Sequence, residues 1–214
     1  MKLILRKILF LVMMLVSRVY SYNISSGIQL FFHKIYTLWI QNFIGQLGVN
    51  SYIYYPCRLW GGGNKHIVIG ANSTIQAHCI LGCWAEYQGE SFTPSISIGN
   101  NCNIGEYAHI SSIKRITIGD GLLTGRYVYI GDNNHGGLCL DGSKILPINR
   151  KLISKGEIVI GSNVWIGDKV SILSGVHIGN NVIVAANAVV TKDFPSNTII
   201  GGNPAQIIKM IENG

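Results

Sequence analysis

The feature that most constrains this chain of 214 residues is a six-residue repeat. From Ile160 the sequence reads IGSNVW-IGDKVS-ILSGVH-IGNNVI-VAANAV, with an aliphatic residue every six positions and usually a small or branched residue four positions later. A period of six fits neither the 3.6-residue helix nor a simple alternating strand. The pattern covers fifteen hexads, whose first positions are Ile69, Ile75, Leu81, Ile98, Ile104, Ile110, Ile118, Thr124, Ile130, Ile160, Ile166, Ile172, Ile178, Val184 and Val190.

A repeat of this length predicts a solenoid of short strands joined by tight turns, with three hexads in each triangular coil. The aliphatic residue points inward and stacks on its equivalent in the next coil, and the smaller residue fits the crowded corner. Gly and Asn at the turns, as in IGNN at 98–101 and 178–181, tolerate positive φ. Fifteen hexads therefore predict an all-β body of about five coils.

The net charge of +7 is confined to the N-terminal segment. Residues 1–65 contain seven Lys and Arg but no Asp or Glu, which leaves ten basic and ten acidic residues for 66–214. Binding of nucleic acid usually requires a basic surface on the folded domain. The body is neutral, so we expect no nucleic-acid partner.

Residues 1–45 are predicted to form an apolar, basic helical arm. Its longest apolar run, Ile8–Val16, is shorter than the roughly 20 residues of a membrane-spanning helix and is flanked by basic residues. This pattern favours a helix lying on an anionic membrane surface, in a cytoplasmic protein at the inner face of the membrane. Packing on the body or on a partner subunit, and a cleaved secretory signal, are alternatives. A connector is predicted at 46–65, the solenoid at 66–200 and a short tail at 201–214.

Two interruptions of the repeat fall at 82–96 and 132–157. Each begins after a complete hexad and ends just before a new one, so both loops are predicted to leave the coil at a corner and to rejoin it in register. A stacked coil has no cleft of its own, and loops are where binding and catalytic residues concentrate. The five cysteines, by contrast, have no C-x-x-C spacing and are interpreted as small apolar core residues.

The hexads and three motifs, NVWIG at 163–167, VVTKDFP at 189–195 and GGNPAQIIK at 201–209, resemble the hexapeptide-repeat acyltransferases. Within that family they are similar to the sugar O-acetyltransferases of the maltose, galactoside and surface-polysaccharide branch, over roughly residues 65–210. The resemblance implies a left-handed parallel β-helix and a homotrimer with active sites between neighbouring subunits. It also implies acetyl-CoA as the co-substrate.

The resemblance places the catalytic histidine at His135, in DNNHGG at the start of the second loop. A sugar hydroxyl must lose its proton as it attacks a thioester, and His is the usual general base near neutral pH. Asp132 is the nearest carboxylate that would orient the imidazole, with Asp141, Glu157 and a backbone carbonyl as alternatives. His78 and His109 are predicted to point outward from the coil, and a place in a neighbour's cleft is the alternative.

Other residues follow from the same resemblance. Trp165 departs from the small or polar residues expected at outward positions, and it is expected with Asn134 to contact the acceptor sugar. Gln206 stands where relatives carry a basic residue that meets phosphate. The residues expected to bind coenzyme A are Trp165, Asp168, Ala185, Ala186, Thr191, Lys192 and Lys209.

The acceptor is less closely defined by the sequence. The coil before His135 reads HISSIKR at 109–115, without the carboxylates that bind sugar hydroxyls in galactoside and maltose acetyltransferases. Together with the arm, this favours a surface polysaccharide or a lipid-linked glycan. The alternative is an N-acetyltransferase acting on an amino-sugar nucleotide. No metal is expected, because the histidines lack the pair five residues apart that marks a zinc-binding γ-type carbonic anhydrase of the same fold.

Overall fold

The structure is a computed structural model that describes residues 2–136 and 145–211. Its body consists of three parallel sheets that form the three faces of a triangular coil, and within each sheet the strands follow one another in chain order. This confirms the predicted left-handed parallel β-helix.

Face 1 contains the strands β1 (Gln46–Leu47), β4 (Ile67–Ile69), β9 (Ile96–Ile98), β12 (Ile116–Ile118), β15 (Ile158–Ile160) and β18 (His177–Ile178). Face 2 contains β2 (Tyr52–Ile53), β5 (Thr74–Ile75), β10 (Asn103–Ile104), β13 (Leu123–Thr124), β16 (Trp165–Ile166), β19 (Ile183–Val184), β21 (Thr198–Gly202) and the antiparallel β22 (Ala205–Met210). Face 3 contains β3 (Cys57–Trp60), β6 (Cys79–Cys83), β11 (His109–Ser112), β14 (Tyr129–Gly131), β17 (Ser171–Ile172) and β20 (Val189–Val190).

The fifteen hexads account for the five coils from β4 to β20, and β1–β3 add one coil on the N-terminal side. The first position of every hexad is buried, and these residues align from coil to coil, as in the pairing of Ile98 with Ile69 and Ile118. Burial of one such side chain contributes about 1.5–3 kcal/mol. The repeat therefore encodes the core, because each hexad contributes one buried side chain to one face of one coil.

The three corners of the coil differ in composition. The first corner, between faces 1 and 2, has positive φ in every coil and uses only Asn or Gly there, at Asn50, Asn72, Asn101, Gly121, Asn163, Asn181 and Asn197. The second corner, between faces 2 and 3, places His78, Tyr107, Tyr127, Lys169 and Asn187 in the same conformation. The third corner, between faces 3 and 1, is where both loops leave the coil.

Close contact between coils explains the Gly that follows many hexad aliphatics. A Cβ added at Gly119 would lie 2.8 Å from the carbonyl carbon of Gly161 in the next coil, which is closer than real Cβ contacts allow. Polar side chains then tie the first corner together: the Asn100 amide donates to Asp120 Oδ1 at 2.7 Å, and the Asp120 amide donates to Ser162 Oγ at 3.2 Å.

Two helices precede the coil, α1 (Lys2–Val19) and α2 (Tyr22–Ile40). The C-terminal part of α2 covers the first coil: Ile40 is buried in the core, and Thr37 Oγ1 donates to the Ile53 carbonyl at 2.9 Å. No residue of α1 is buried. Neither helix, nor any other in the described part of the chain, has the length and apolar character needed to cross a membrane.

Candidate active site

The two loops of the third corner contact each other. The first carries a small hairpin of β7 (Glu86–Tyr87) and β8 (Glu90–Ser91). Its Tyr87 hydroxyl donates to the Ile148 carbonyl of the second loop at 2.7 Å, and Lys151 of the second loop forms an ion pair with Glu90. The loops therefore close over part of face 3.

Under these loops lies a cavity of ≈ 650 Å³. Most of the described wall is aromatic or aliphatic, and besides the Tyr hydroxyls and Trp N–H groups its polar side chains are two histidines, one serine and two asparagines. The lining residues are Trp60, Trp84, Tyr87, His109, Ser111, Tyr129, Asn133, Asn134, His135, Pro147, Ile148 and Leu152. Such an apolar pocket with a few convergent polar groups is typical of a small-molecule site.

His135 stands at the cavity edge on a short, hydrogen-bonded turn. Asn134 exchanges two backbone hydrogen bonds with Ile153, at 3.0 and 2.9 Å, and its side-chain oxygen accepts from the Gly136 amide at 2.9 Å. The His135 ring meets the Tyr87 ring edge to face, with 5.5 Å between centroids. The imidazole is solvent-exposed, as an acid–base group open to a substrate must be.

Asp132 lies close to His135 in sequence but faces another way. Its carboxylate is fully buried and accepts hydrogen bonds from the Ser112 hydroxyl at 2.7 Å and from the backbone amides of residues 113–115 at 2.8–3.0 Å. Among the described residues, no hydrogen bond joins Asp132 to His135. Its contacts instead fix the turn between β11 and β12, which forms the third corner of the preceding coil.

The alternative orienting carboxylates are also placed elsewhere or lie outside the described residues. Glu157 forms an ion pair with Arg115 at 3.6 Å. Asp141 falls outside the described ranges.

The residues expected to bind coenzyme A fall into two groups within one chain. Trp165 lies on face 2 with 53% of its surface exposed, and the second corner carries Asp168, Ala185 and Ala186. Asp168 Oδ1 accepts from the Arg126 amide at 2.7 Å, so this carboxylate also ties two coils together.

Thr191 belongs to the other group, at the third corner. It lines a groove of ≈ 290 Å³ that also includes Tyr129, Asn133 and Asn134, next to His135. Lys192 Nζ donates to Gln206 Oε1 at 2.7 Å, while Lys209 lies on β22. A single chain therefore brings Thr191, but not Trp165, to the groove beside His135.

Several lining residues were not expected from the sequence. Trp60 precedes the first hexad, and Trp84 and Tyr87 belong to the first loop, whose fold no repeat specifies. His109, predicted to point outward, lines the same cavity as His135 of its own chain. Burial lowers the pKa of His109 from its ordinary value of 6.5, and burial, with the charge of Asp132, raises that of Tyr129. No group of three or more His, Cys, Asp or Glu in residues 2–136 and 145–211 is arranged to hold a metal.

Comparison with known proteins places these features among acyltransferases. The family description "Bacterial transferase hexapeptide (six repeats)" matches residues 157–192. WbbJ of Escherichia coli K12, described as a lipopolysaccharide biosynthesis O-acetyl transferase, is 37% identical over 136 residues, or 56% of this chain and 69% of WbbJ. The galactoside O-acetyltransferase of the same organism is 34% identical over 128 residues, which are 58% of each chain.

A solved structure supports the fold alone. AntD, an N-acyltransferase from Bacillus cereus in complex with dTDP and 3-hydroxybutyryl-CoA, matches with a TM-score of 0.65 and 22% identity. The match covers 82% of this chain and 87% of AntD.

Proposed function

This chain belongs to the hexapeptide-repeat acyltransferases, in their sugar O-acetyltransferase branch, and from this premise we propose that His135 is the general base of acetyl transfer from acetyl-CoA to a sugar hydroxyl. The observation that carries the proposal is the position of His135. It is the exposed imidazole at the edge of the ≈ 650 Å³ cavity, on the corner where the repeat is interrupted.

The chemistry needs one base and no covalent enzyme intermediate. His135 accepts the proton of the acceptor hydroxyl as its oxygen attacks the thioester carbonyl. The carbon–sulfur bond then breaks, the acetyl ester remains on the sugar, and the thiolate of coenzyme A takes up the proton. A backbone amide suits the developing oxyanion, as in other acyl transfers.

The two groups of expected coenzyme A residues support a site shared between subunits. Thr191 shares a groove with Asn134 beside His135, whereas Trp165, Asp168 and the pair Ala185–Ala186 line face 2 and the second corner. A homotrimer in which face 2 of one subunit approaches face 3 of the next would bring both groups to one donor molecule. Lys192 and Lys209 then supply positive charge for phosphate.

The acceptor we propose is a surface polysaccharide or a lipid-linked glycan. Among the described residues, the cavity lining contains no Asp, Glu, Lys or Arg, so this part of the site suits an uncharged sugar ring held by stacking and by neutral hydrogen bonds. Asn134 is a candidate donor to that ring.

The arm agrees with an acceptor held at a membrane. Every residue of α1 is exposed, although most are large and apolar, and its basic residues are not balanced by any acid in residues 1–65. We place α1 on the anionic inner face of the membrane, with its apolar side buried among the lipids.

An acceptor screen tests the proposal. The full chain is incubated with radiolabelled acetyl-CoA and, separately, polysaccharide, lipid-linked glycan, free galactoside and an amino-sugar nucleotide. We expect ester-linked label, released by mild base, on polysaccharide or lipid-linked glycan. Label in an amide on the sugar nucleotide would establish the alternative N-acetyltransferase activity, and label on no acceptor would refute acetyl transfer.

Vesicle flotation tests the arm. Full-length protein is mixed with vesicles of phosphatidylglycerol and phosphatidylethanolamine, and a variant carrying Leu5→Glu and Leu9→Glu is compared with the control Val49→Glu, an exposed apolar position outside the arm. We expect the wild type and the control to float and the double variant to remain in solution. Equal flotation of all three, or of none, would contradict the membrane role.

A further inference from the structure

A second histidine lines the cavity, and the proposed reaction gives it no task. His109 lies on β11 of face 3, between Ile80 of the preceding coil and Tyr129 of the following one. Its ring meets Trp60 and Tyr129 edge to face, with centroid separations of 6.0 and 5.5 Å. Rings on two sides therefore hold the imidazole in one orientation.

The Nε2 atom of His109 is buried and has no hydrogen-bond partner among the described residues. Leaving a buried polar atom unpaired costs about 1–3 kcal/mol, so native proteins seldom keep one without a use. Within the described part of the chain only one other side-chain atom, Asn64 Oδ1, shares this condition. An apolar residue at position 109 would fill the same space without the cost.

The rings between the two histidines form a continuous wall. Trp60 contacts Trp84 at 6.4 Å, Trp84 contacts Tyr87 at 5.8 Å, and Tyr87 contacts His135 at 5.5 Å between centroids. Aromatic faces of this kind suit the apolar side of a sugar ring. The wall thus has an imidazole at each end, an exposed one at His135 and a half-buried one at His109.

The two imidazoles differ in what they can do. Burial lowers the pKa of His109, so its ring is neutral at neutral pH and can accept or donate a hydrogen bond without carrying charge. In residues 2–136 and 145–211, the cavity lining has no carboxylate that would bind sugar hydroxyls, as such groups do in galactoside acetyltransferases. A neutral imidazole is a suitable replacement.

We propose that His109 is a positioning residue for the acceptor: its Nε2 binds a hydroxyl other than the one acetylated, and so fixes which hydroxyl reaches His135. The inference rests on the proposed function. Because His109 lines the cavity, a hydroxyl of the bound acceptor supplies the hydrogen bond that Nε2 lacks.

The test uses the full-length protein with an acceptor that the screen identifies. His109→Phe keeps an aromatic ring without nitrogen, His109→Gln restores a polar group near the Nε2 position, and His66→Phe is a control at an exposed histidine outside the cavity. We expect His109→Phe to raise the KM for the acceptor roughly 2- to 13-fold, the value of one neutral hydrogen bond. The KM for acetyl-CoA should not change, and NMR of the product should show acetyl on more than one hydroxyl.

Glutamine at position 109 should recover most of the acceptor affinity and the single product. An unchanged acceptor KM and a single product in His109→Phe would overturn the inference while leaving the proposed function intact. Equal losses for both substrates together with a lower melting temperature would also overturn it, in favour of a structural role. Failure of the wild type to acetylate any acceptor would instead refute the proposed function.

Discussion

The first and third corners of the same coil have opposite designs. At the first corner, every turn places Asn or Gly at positive φ, and amide-to-side-chain hydrogen bonds connect successive coils. At the third corner, two loops leave the coil, a cavity opens, and His135 and His109 face it. The regular corner sets the spacing of the coils, and the interrupted corner uses that fixed spacing to hold a site.

The largest effect is expected from removing the base at the third corner. His135→Ala should lower kcat for acetyl transfer by roughly 10²–10⁴-fold, the usual contribution of a general base. The melting temperature should stay at the wild-type value, because the imidazole is exposed and forms no hydrogen bond with any other described residue. His66→Ala serves as the control, and retention of most activity in His135→Ala would remove His135 from the mechanism.

The next largest effect is expected at Asp132, whose carboxylate anchors the third corner to the preceding coil. Asp132→Ala leaves the Ser112 hydroxyl and the amides of residues 113–115 without their acceptor. We expect the free energy of unfolding to fall by at least about 3 kcal/mol, with a loss of activity because the turn before the second loop is released. Chemical denaturation and steady-state kinetics measure the two effects.

A matched carboxylate at the first corner is the control for Asp132. Asp120 accepts from the Asn100 amide at 2.7 Å but is exposed to water, which can replace it. Asp120→Ala should therefore cost only about 1 kcal/mol and leave kcat unchanged. Equal losses in the two variants would mean that the corners are anchored in the same way.

The difference between the corners also explains what the sequence could predict. The fifteen hexad first positions, fourteen of them aliphatic and one of them Thr124, recur within each run every six residues because each must fill the same core site, and all fifteen are buried. The positions of both loops can be predicted from the same period, because each loop lies where the six-residue repeat is interrupted. The resemblance places His135, through its motif, at one of these interruptions.

The contacts inside the site follow no sequence period, so they could not be predicted from the repeat. Asp132 binds a turn 17 to 20 residues earlier in the chain, a relation that depends on how coils stack and not on a sequence spacing. The wall of Trp60, Trp84 and Tyr87 joins the first coil to a loop, so only the folded chain brings these rings together. His109 could be predicted to point outward, but not toward His135.

A third test asks whether the first corner contributes to the stability of the fold but not to catalysis. Asn163 has φ +56, and replacing Asn by Ala in the left-handed region costs about 1–2 kcal/mol. Asn163→Ala should lower the free energy of unfolding by that amount with kcat unchanged, and Asn163→Gly should lose less because Gly adopts positive φ without a steric penalty. A fall in kcat for either variant, at a temperature where it is folded, would show that the first corner contributes to the site.

The smallest effect is expected at the second corner, which is uninterrupted like the first corner but carries large side chains at positive φ. Tyr107 and Tyr127 adopt φ +61 and +58, where a bulky side chain is strained. Their rings stack 4.8 Å apart at an interplanar angle of 11°, and the Tyr107 ring stacks on His78 at 4.6 Å. Such a stack contributes about 0.5–1.5 kcal/mol, which is close to the cost of the strain.

Tyr127→Asn should therefore change the free energy of unfolding by less than about 1 kcal/mol, because relief of strain and loss of stacking have opposite signs. Asn187 already occupies the equivalent position on this corner, so the substitution introduces a residue that the turn accepts. Tyr127→Phe keeps the ring and its stacking, so it is the control and should leave the free energy of unfolding unchanged in the same denaturation experiment. A loss above about 2 kcal/mol in Tyr127→Asn, with no loss in Tyr127→Phe, would mean that this ring is covered in the assembled protein. The second corner would then resemble the third, because its contacts would do more than hold successive coils together.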